Sequence, residues 1–314
     1  MAAANADFDE RLTTTLNNHR GVIVDNVFAA RPLAHYIKEA GNVKITGGDR
    51  IVRPVRFKKN TSVMPYEGAD TLSTTTGEGS TSAAYDWKQV SASVVIDGIT
   101  KARNGGEAKI IDILQDRIEV AEESLIDYLN TTWWGDGSVA KSMNGLGNLV
   151  LDPANGNVVG DIDPADEALW TPNVTAGATV LSDVNTLAPV FNSSSVGADQ
   201  PNVIITTQAL FEKYESLLQP NMRYADEGAA NAGFTSLRYK QVPVTYDESC
   251  PADTLVMLNT KYLQAVFHED TFMKPTPFVR PSNQDVMIAQ ILTYGNLIIT
   301  NRKRQGAFTS LTVA

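Results

Sequence analysis

The strongest periodic pattern in the chain predicts one long helix over residues 107–130. Apolar residues recur there at steps of three or four, the spacing that places side chains on one stripe of an α-helix. The stripe consists of Ile110, Leu114, Ile118, Ala121, Leu125 and Leu129. The other faces carry most of the acidic residues, which are either solvated or in contact with a neighbouring copy. These residues are Asp112, Asp116, Glu119 and Glu123. At 1.5 Å per residue the helix spans roughly 36 Å, enough to cross a whole domain.

Two apolar, alternating stretches frame a long polar segment and predict a hairpin over residues 46–97. Pro54 restricts the first strand to a sheet edge or a bulge. The segment between the strands, residues 62–85, is rich in Gly, Thr and Ser, and its few apolar groups cannot offset the entropy of ordering it. We therefore expect a tip that stays mobile or is ordered by a partner. The expected cross-strand groups are Ile51, Val52, Val55 and Phe57 on one side and Val90, Val94, Val95 and Ile96 on the other.

The hairpin also carries the residues that we expect to contact this partner. Aromatic side chains supply contact area at a low cost in rotamer entropy. Charged groups beside them add pairing of modest strength. The expected apolar anchors are Met64, Tyr66, Tyr85 and Trp87, and the expected charged contacts are Lys58, Lys59 and Glu67.

The rest of the chain mixes short strands, helices and turns, which is typical of the α+β class. The first forty residues read as an arm with a short helix from Pro32 to Gly41, and residues 141–200 are rich in turns. Beyond them, "NVIITT" predicts a buried strand, "QALFEKYESLL" a helix ending near Pro220, and "FTSLRYKQVPVTYD" a strand pair. After Pro251 the pattern is mainly strand, with a tight turn expected at Gly295 and Asn296.

Composition and charge narrow the function classes. The 314 residues are 43% hydrophobic and 20% charged, ordinary values for a folded protein. A formal net charge of −10 disfavours a protein that binds nucleic acid over its whole surface. The single cysteine, Cys250, excludes an intramolecular disulfide. Since the acidic start does not resemble a signal peptide and no run approaches eighteen apolar residues, we expect a cytosolic protein without membrane spans.

The sequence offers no pattern for catalysis or for a cofactor. His19, His35 and His268 lack any ligand or partner spacing, and Cys250 lacks the context of a nucleophile. The acidic run from residue 152 to 167 does not match a calcium-binding loop, so a solvated loop is favoured. "NRKRQ" at 301–305 is the densest basic cluster, but no aromatic residues are interleaved with it, which disfavours a nucleic-acid contact there. We therefore predict no enzyme activity, no cofactor and no metal.

The order of arm, polar-tipped hairpin, long helix, mixed lobe and returning strands resembles the major capsid proteins of tailed bacteriophages. These proteins have the Hong Kong 97 type fold, which encapsulin shells share. The resemblance covers nearly the whole chain. The stretches that carry it are "QPNMRYADEGAANAGFTSLRYKQVPVTYDESCP", "TLVMLNTKYLQAVFHED" and "LTYGNLIITNRKRQGAFTSL".

The resemblance implies a division of the chain into named parts. Residues 1–45 correspond to the N-arm, and residues 46–97 correspond to the E-loop, which lies over an adjacent subunit. Residues 98–140, with the spine helix, and 251–314 correspond to the peripheral domain, while residues 141–250 correspond to the axial domain. No long charged scaffolding segment precedes the arm, so the resemblance implies a separate scaffolding protein or none.

The function implied by the resemblance is that of a phage head protein. Such a chain forms pentamers and hexamers in an icosahedral shell around double-stranded DNA, which it touches only weakly. Its partners are its own copies, a portal, and separate scaffolding or decoration proteins; it assembles in the host cytoplasm and resides in the virion. An encapsulin-like shell around an enzyme cargo is the main alternative. A soluble hydrolase or carbohydrate-binding protein is a third, for which the sequence shows no concave polar site.

Overall fold

Two β-sheets with a shared hydrophobic interior organise the molecule. The computed structural model describes residues 31–56, 62–71, 79–99, 107–151, 158–222 and 237–313. Within these ranges the larger hydrophobic cluster joins both sheets to the long helix, and a smaller cluster fills the opposite side of one sheet. The architecture is α+β, as the sequence predicts.

The first sheet has five strands and is built around one long strand near the C-terminus. Its order is β1 (Val43–Thr46), β11 (Leu263–His268), β13 (Val286–Ile299) and β12 (Lys274–Pro275), with β4 (Lys88–Asp97) also paired to β13. β13 is 14 residues long and antiparallel to β11, β12 and β4. Since β4 pairs with it over 10 residues, β13 fixes the register of most of this sheet.

The second sheet has six strands, and both of its faces are covered. Its order is β5 (Asn173–Thr175), β14 (Gly306–Phe308), β10 (Leu255–Leu258), β7 (Val203–Thr206), β9 (Val242–Tyr246) and β8 (Arg238–Tyr239). Every residue of β7 and β10 is buried, because alternate side chains enter the larger and the smaller cluster. "NVIITT" is thus confirmed as a buried strand, and "FTSLRYKQVPVTYD" as a strand pair.

Four α-helices and two small strand pairs complete the regular structure of the described residues. The helices are α1 (Pro32–Glu39), α2 (Glu107–Trp134), α3 (Ala188–Ser194) and α4 (Gln208–Met222). The strand pairs are β2 (Ile51–Arg56) with β3 (Ser80–Tyr85), and β6 (Thr179–Leu181) with β15 (Leu311–Val313). The remaining single turns of helix are Gly147–Leu151, Ala168–Trp170, Val184–Leu187, Thr260–Tyr262 and Arg302–Arg304.

The long helix α2 confirms the strongest sequence pattern and runs one turn further than predicted. It continues to Trp134, since both Trp133 and Trp134 are buried and prolong the apolar stripe. Within the part of α2 whose side chains the structure describes, the predicted stripe is buried to 6% exposure or less. These stripe residues are Ile118, Ala121, Leu125 and Leu129.

The predicted tight turn at Gly295 and Asn296 is wrong, because both residues lie inside β13. A Cβ at Gly295 would stand 2.6 Å from Cδ1 of Phe267 and 2.8 Å from the carbonyl oxygen of Val266, so β11 and β13 approach too closely for a side chain. Asn296 is buried; its amide nitrogen donates to the carbonyl of Asp86, and its Oδ1 accepts from the backbone N–H of Asn144. Glycine here serves close packing rather than a turn.

The predicted strand pairing of the hairpin is also wrong. Residues 51–56 pair with residues 80–85, inside the segment taken from its composition as a polar tip. The second predicted strand, β4, pairs with β13 instead. Ala83 and Tyr85 supply the buried alternate positions of β3 in a stretch otherwise made of Ser, Thr and Ala. Pro54 does lie on an edge strand: among the described residues, β2 pairs only with β3.

The C-terminal strands do not all join one part of the molecule. Residues 251–314 contribute to both sheets: β10 and β14 lie in the six-stranded sheet beside β7, while β11 and β13 lie in the five-stranded sheet. Leu146 and Leu149 lie in the larger cluster, which contacts both sheets and α2. The chain therefore crosses between the two sheets, and the division into N-arm, E-loop, peripheral domain and axial domain stays a prediction.

A polar network joins the two sheets where β10 leads into β11. The carboxylate of Asp199 accepts hydrogen bonds from the hydroxyl of Tyr262 at 2.6 Å and from the amide of Asn259 at 3.0 Å, with Arg304 at 3.7 Å. Burial alone would raise the pKa of Asp199, but these donors and nearby cations outweigh it and hold the pKa below its usual value. Burial and the Asp199 carboxylate together raise the pKa of Tyr262 to about 12.

We expect Gly295→Ala to lower the free energy of unfolding by about 1–3 kcal/mol, because the new methyl group forces β11 and β13 apart. Urea unfolding of the unassembled chain measures this change. Gly177→Ala is the matched control, since a Cβ there meets no atom within 4 Å. Equal stability of the two variants would contradict the close strand approach.

The depressed pKa of Asp199 makes this network sensitive to acid. Its stabilising contribution is fully present above the unfolded value near 3.8 and is lost as pH falls through the lower folded value. We expect Asp199→Asn to be less stable at neutral pH and to lose less stability between about pH 4 and 2 than the unmodified chain. Urea unfolding across this range tests it, with Asp166→Asn on an exposed turn as control. Parallel pH profiles for Asp199→Asn and the unmodified chain would contradict this role.

Candidate functional site

The hairpin formed by β2 and β3 is fixed to the body of its own chain at its root. Ile51, Val55, Ala83 and Tyr85 are buried, and the hydroxyl of Tyr85 donates to the carbonyl oxygen of Ile299 in β13 at 2.8 Å. On the other side of the ladder, the N–H of Ala84 donates to the carbonyl of Gly160. The root is therefore a rigid part of the fold.

Ion pairs on the surface also hold the root of this hairpin. The guanidinium of Arg50 contacts the carboxylate of Asp86 at 2.7 Å and that of Asp161 at 2.8 Å. Asp161 belongs to the acidic run for which a solvated loop was predicted over a calcium site, and its contact here is an ion pair with Arg50. The described residues contain no group of three or more His, Cys, Asp or Glu side chains arranged to hold a metal.

Two predicted partner anchors, Tyr85 and Trp87, are used inside the chain instead. Tyr85 is 3% exposed, and burial raises its pKa well above the usual range. Trp87 is half-buried; its indole N–H donates to the carbonyl of Gly48 at 2.8 Å, and its ring meets the edge of His268. Both residues lie at the root rather than at the tip, and a contact of the partly exposed Trp87 with a neighbour stays a prediction.

The other two apolar anchors lie on an exposed segment, residues 62–71. Tyr66 is 66% exposed, Met64 is 44% exposed, and the adjacent Val63, which sequence analysis missed, is 83% exposed. A turn follows them: the N–H of Asp70 donates to the carbonyl of Glu67, whose own N–H donates to a carboxylate oxygen of Asp70. This short segment thus carries three large apolar side chains that the described part of the chain leaves exposed.

The charged residues predicted for the hairpin divide between described and undescribed parts. Glu67 is exposed and lies beside Tyr66 in the turn. Lys58 and Lys59 lie outside the described residues. The predicted charge pairing at the tip therefore stays a prediction for all three.

The acidic face of α2 is partly engaged within the chain. Asp127 accepts from the guanidinium of Arg31 at 2.6 Å, and the same guanidinium also reaches Glu248 at 3.0 Å. Glu119 and Glu123 are exposed, as a solvated or neighbour-facing surface requires. The side chains of Asp112 and Asp116 lie outside what the structure describes.

The basic cluster near the C-terminus is mainly a structural element. Arg302 is completely buried and donates to the backbone carbonyls of Leu149 and Asn148. Arg304 faces Asp199 across 3.7 Å. These two guanidinium groups serve the interior and the sheet junction, which disfavours a phosphate-binding surface at this cluster.

The single cysteine is held in an unreactive setting. The Cys250 thiol is buried, and burial together with the nearby Asp247 carboxylate raises its pKa far above the usual value, which disfavours the nucleophilic thiolate. His268 accepts a backbone hydrogen bond at Nδ1 from Asp270. No helix of the described chain is long and apolar enough to cross a membrane.

We expect Tyr85→Phe and Tyr66→Phe to separate the root of the hairpin from its exposed segment. Tyr85→Phe leaves the Ile299 carbonyl without its donor and should lower the free energy of unfolding by about 1 kcal/mol. Tyr66→Phe should leave it unchanged within about 0.5 kcal/mol, because Tyr66 is exposed. Chemical denaturation of both variants gives the comparison; equal losses would contradict the assigned positions.

Comparison by sequence finds no relative, whereas comparison by structure finds many. No protein-family model matches the chain, and no curated protein matches it. The capsid of cyanophage A-1(L) matches with a TM-score of 0.62 at 13% identity over 87% of this chain and 90% of that chain. The capsid of a native GTA particle matches with a TM-score of 0.61 at 11% identity over 87% and 89%.

An encapsulin also matches, with a lower TM-score. The SrpI encapsulin of Synechococcus elongatus PCC 7942 has a TM-score of 0.51 at 11% identity over 88% of this chain and 87% of that chain. The likeness to these structures covers 87% to 88% of this chain. The chain therefore has the Hong Kong 97 type fold that phage capsid proteins and encapsulins share.

Proposed function

We propose that this chain is a major capsid protein that assembles through pentamers and hexamers into an icosahedral shell around double-stranded DNA. The observation that carries the proposal is the fold itself, which matches capsid chains over 87% of the sequence. The exposed segment 62–71 supports it, since Val63, Met64 and Tyr66 gain burial only against another molecule.

The hairpin provides a physical route from fold to assembly. A root fixed by Tyr85 and Arg50 holds the ladder in one orientation, so little entropy is lost when its far end meets a neighbour. Each such contact is modest, but a closed shell repeats it around every symmetry axis. The neighbouring copy is therefore the partner that we assign to Met64, Tyr66, Glu67, Lys58 and Lys59.

The charge of the chain suits a container for DNA. A net charge of −10 limits attraction between the wall and the phosphates, so the genome can enter and leave. The burial of Arg302 removes one of the few concentrated basic positions from the surface. A portal and separate scaffolding or decoration proteins complete the proposed assembly in the host cytoplasm, and the role of the chain in the virion is structural rather than enzymatic.

An encapsulin-like compartment is the second candidate, and the match to SrpI encapsulin favours it specifically. Its TM-score of 0.51 lies below the 0.62 of the cyanophage capsid, so the phage head is the better fit. Size-exclusion chromatography of the full chain, followed by electron microscopy of large species, tests shell formation. Particles isolated from the native source should hold nuclease-protected DNA; a protein cargo would favour the compartment, and a monomer at every concentration would overturn both.

Replacing the exposed apolar side chains of the loop should abolish particles without unfolding the chain. For the triple variant Val63→Ser, Met64→Ser, Tyr66→Ser we expect no closed shells by electron microscopy and a free energy of unfolding within about 0.5 kcal/mol of the unmodified chain. Val180→Ser, which removes a similarly exposed apolar group (47%) from β6, is the control and should assemble. Normal shells from the triple variant would contradict the role of the segment.

A further inference from the structure

A groove of about 540 Å³ lies between α2 and β4. Its helical wall presents Val120 and Tyr128, which are 52% and 44% exposed, and its strand wall presents Val95, which is 39% exposed. The buried side chains of Ala121 and Leu125 also line it. Apolar groups that are gathered in one groove, rather than scattered singly, mark a surface that another molecule covers.

The groove carries a positive charge at one end. Of the described residues that line it, Arg117 alone is charged, and its side chain is exposed. It forms no ion pair with any carboxylate that the structure describes. Along the helix axis Arg117 lies about 4.5 Å from Val120 and about 17 Å from Tyr128. The groove therefore has a cationic end and an aromatic end.

The exposed segment 62–71 has the complementary pattern. Its three exposed apolar side chains lie between Val63 and Tyr66, and Glu67 follows them directly. Asp70 adds a second negative charge, and the segment contains no Lys or Arg. An apolar run that ends in carboxylates thus matches an apolar groove that ends in a guanidinium.

The segment and the groove also agree in length. The four residue steps from Val63 to Glu67 span about 13 Å when the chain is extended. The helical wall from Tyr128 to Arg117 spans about 17 Å. The long side chains of Glu67 and Arg117 bridge the difference, so the apolar side chains can lie along the groove while the two charges meet at its end.

The two surfaces can meet only between copies of the chain. The apolar groups of the segment and those of the groove are exposed in the same subunit, so a segment does not occupy its own groove. Since segment and groove are different surfaces, the contact is heterologous. Each copy offers its segment to one neighbour and its groove to another, and such contacts repeat around an axis until a ring closes.

We propose that the segment 62–71 of one copy docks in the groove between α2 and β4 of a neighbouring copy, with Glu67 paired to Arg117. The apolar side chains of the segment cover the exposed apolar groups of both walls and supply the burial. The ion pair fixes the direction in which the segment lies. The inference rests on the proposed shell function and names the surface of the neighbour that the segment contacts.

A charge swap in the full chain tests the pair. Arg117→Glu places a carboxylate opposite Glu67, and we expect the yield of closed shells to fall about tenfold or more because like charges face each other. Glu67→Arg should have the same effect. The double variant Arg117→Glu, Glu67→Arg should recover the shells, because the pair forms again with its charges exchanged. Electron microscopy counts the particles, and urea unfolding checks that each variant is folded, as the exposure of both residues leads us to expect.

The matched control is Arg117→Glu combined with Glu215→Arg. It has the same net charge as the swapped double variant, but the exposed Glu215 lies on α4, outside both the segment and the groove. We expect no recovery from this control. Equal recovery from both double variants would show that net charge acts instead of the pair. If the unmodified chain forms shells and the swapped variant does not, the groove assignment is overturned while the proposed function stands.

Disulfide cross-linking reports the same contact whether or not shells form. Chains with Met64→Cys alone are co-expressed with chains with Ser124→Cys alone, which places a thiol on the helical wall, and are then oxidised. Cys250 is buried and stays as the natural background. We expect linked dimers of the two variants on non-reducing gels, and none when Val180→Cys, on exposed β6, replaces Ser124→Cys.

A chain that carries both Met64→Cys and Ser124→Cys should give a ladder of linked copies, because each copy is joined to two neighbours. A link within single chains would show that the segment lies in its own groove, and it would overturn the proposal. The absence of any link in the co-expressed pair would overturn it as well.

Discussion

The pairing of β13 with strands on both of its edges is the constraint on which the rest of the structure depends. One edge carries β4 over 10 residues, and the other carries β11 and β12. β11 can approach as closely as it does only because Gly295 has no side chain. The Ile299 carbonyl near the end of β13 receives Tyr85, and Asn296 binds both Asp86 and the turn before the Gly147–Leu151 segment. Hairpin, long helix and sheet junction are thus all positioned from one strand.

The sequence predicts the elements of this protein better than their partners. The stripe of α2 and the buried strand β7 follow from local periodicity, which is a property of each segment alone. The pairing of β2 with β3 does not, because β3 shows only two buried positions in a Ser- and Ala-rich stretch, and the more apolar β4 looks the better partner. The pairing is decided by β13, which lies about 190 residues after β4 in the sequence and pairs with it.

The residues of the candidate site show the same difference between local pattern and distant partner. Exposed apolar residues in a polar, glycine-rich loop are visible in the sequence, and Met64 and Tyr66 are indeed exposed. Whether a side chain belongs to the surface or to the core can depend on a partner distant in sequence. Tyr85 is held by the carbonyl of Ile299, and Arg302 is held by the carbonyl of Leu149. Composition alone assigns Tyr85 to a contact and Arg302 to a basic cluster, whereas burial places both residues in the interior.

The stiff root of the hairpin has a mechanical consequence. The ladder of β2 and β3 is packed at both ends, through Ile51 and Tyr85 at the root and through Val55 one residue from its far end. Tyr85 also joins the ladder to the Ile299 carbonyl of β13. The ladder therefore moves with the central strand as one unit: a bend of that strand is passed along it, and a push on its far end is returned to the interior.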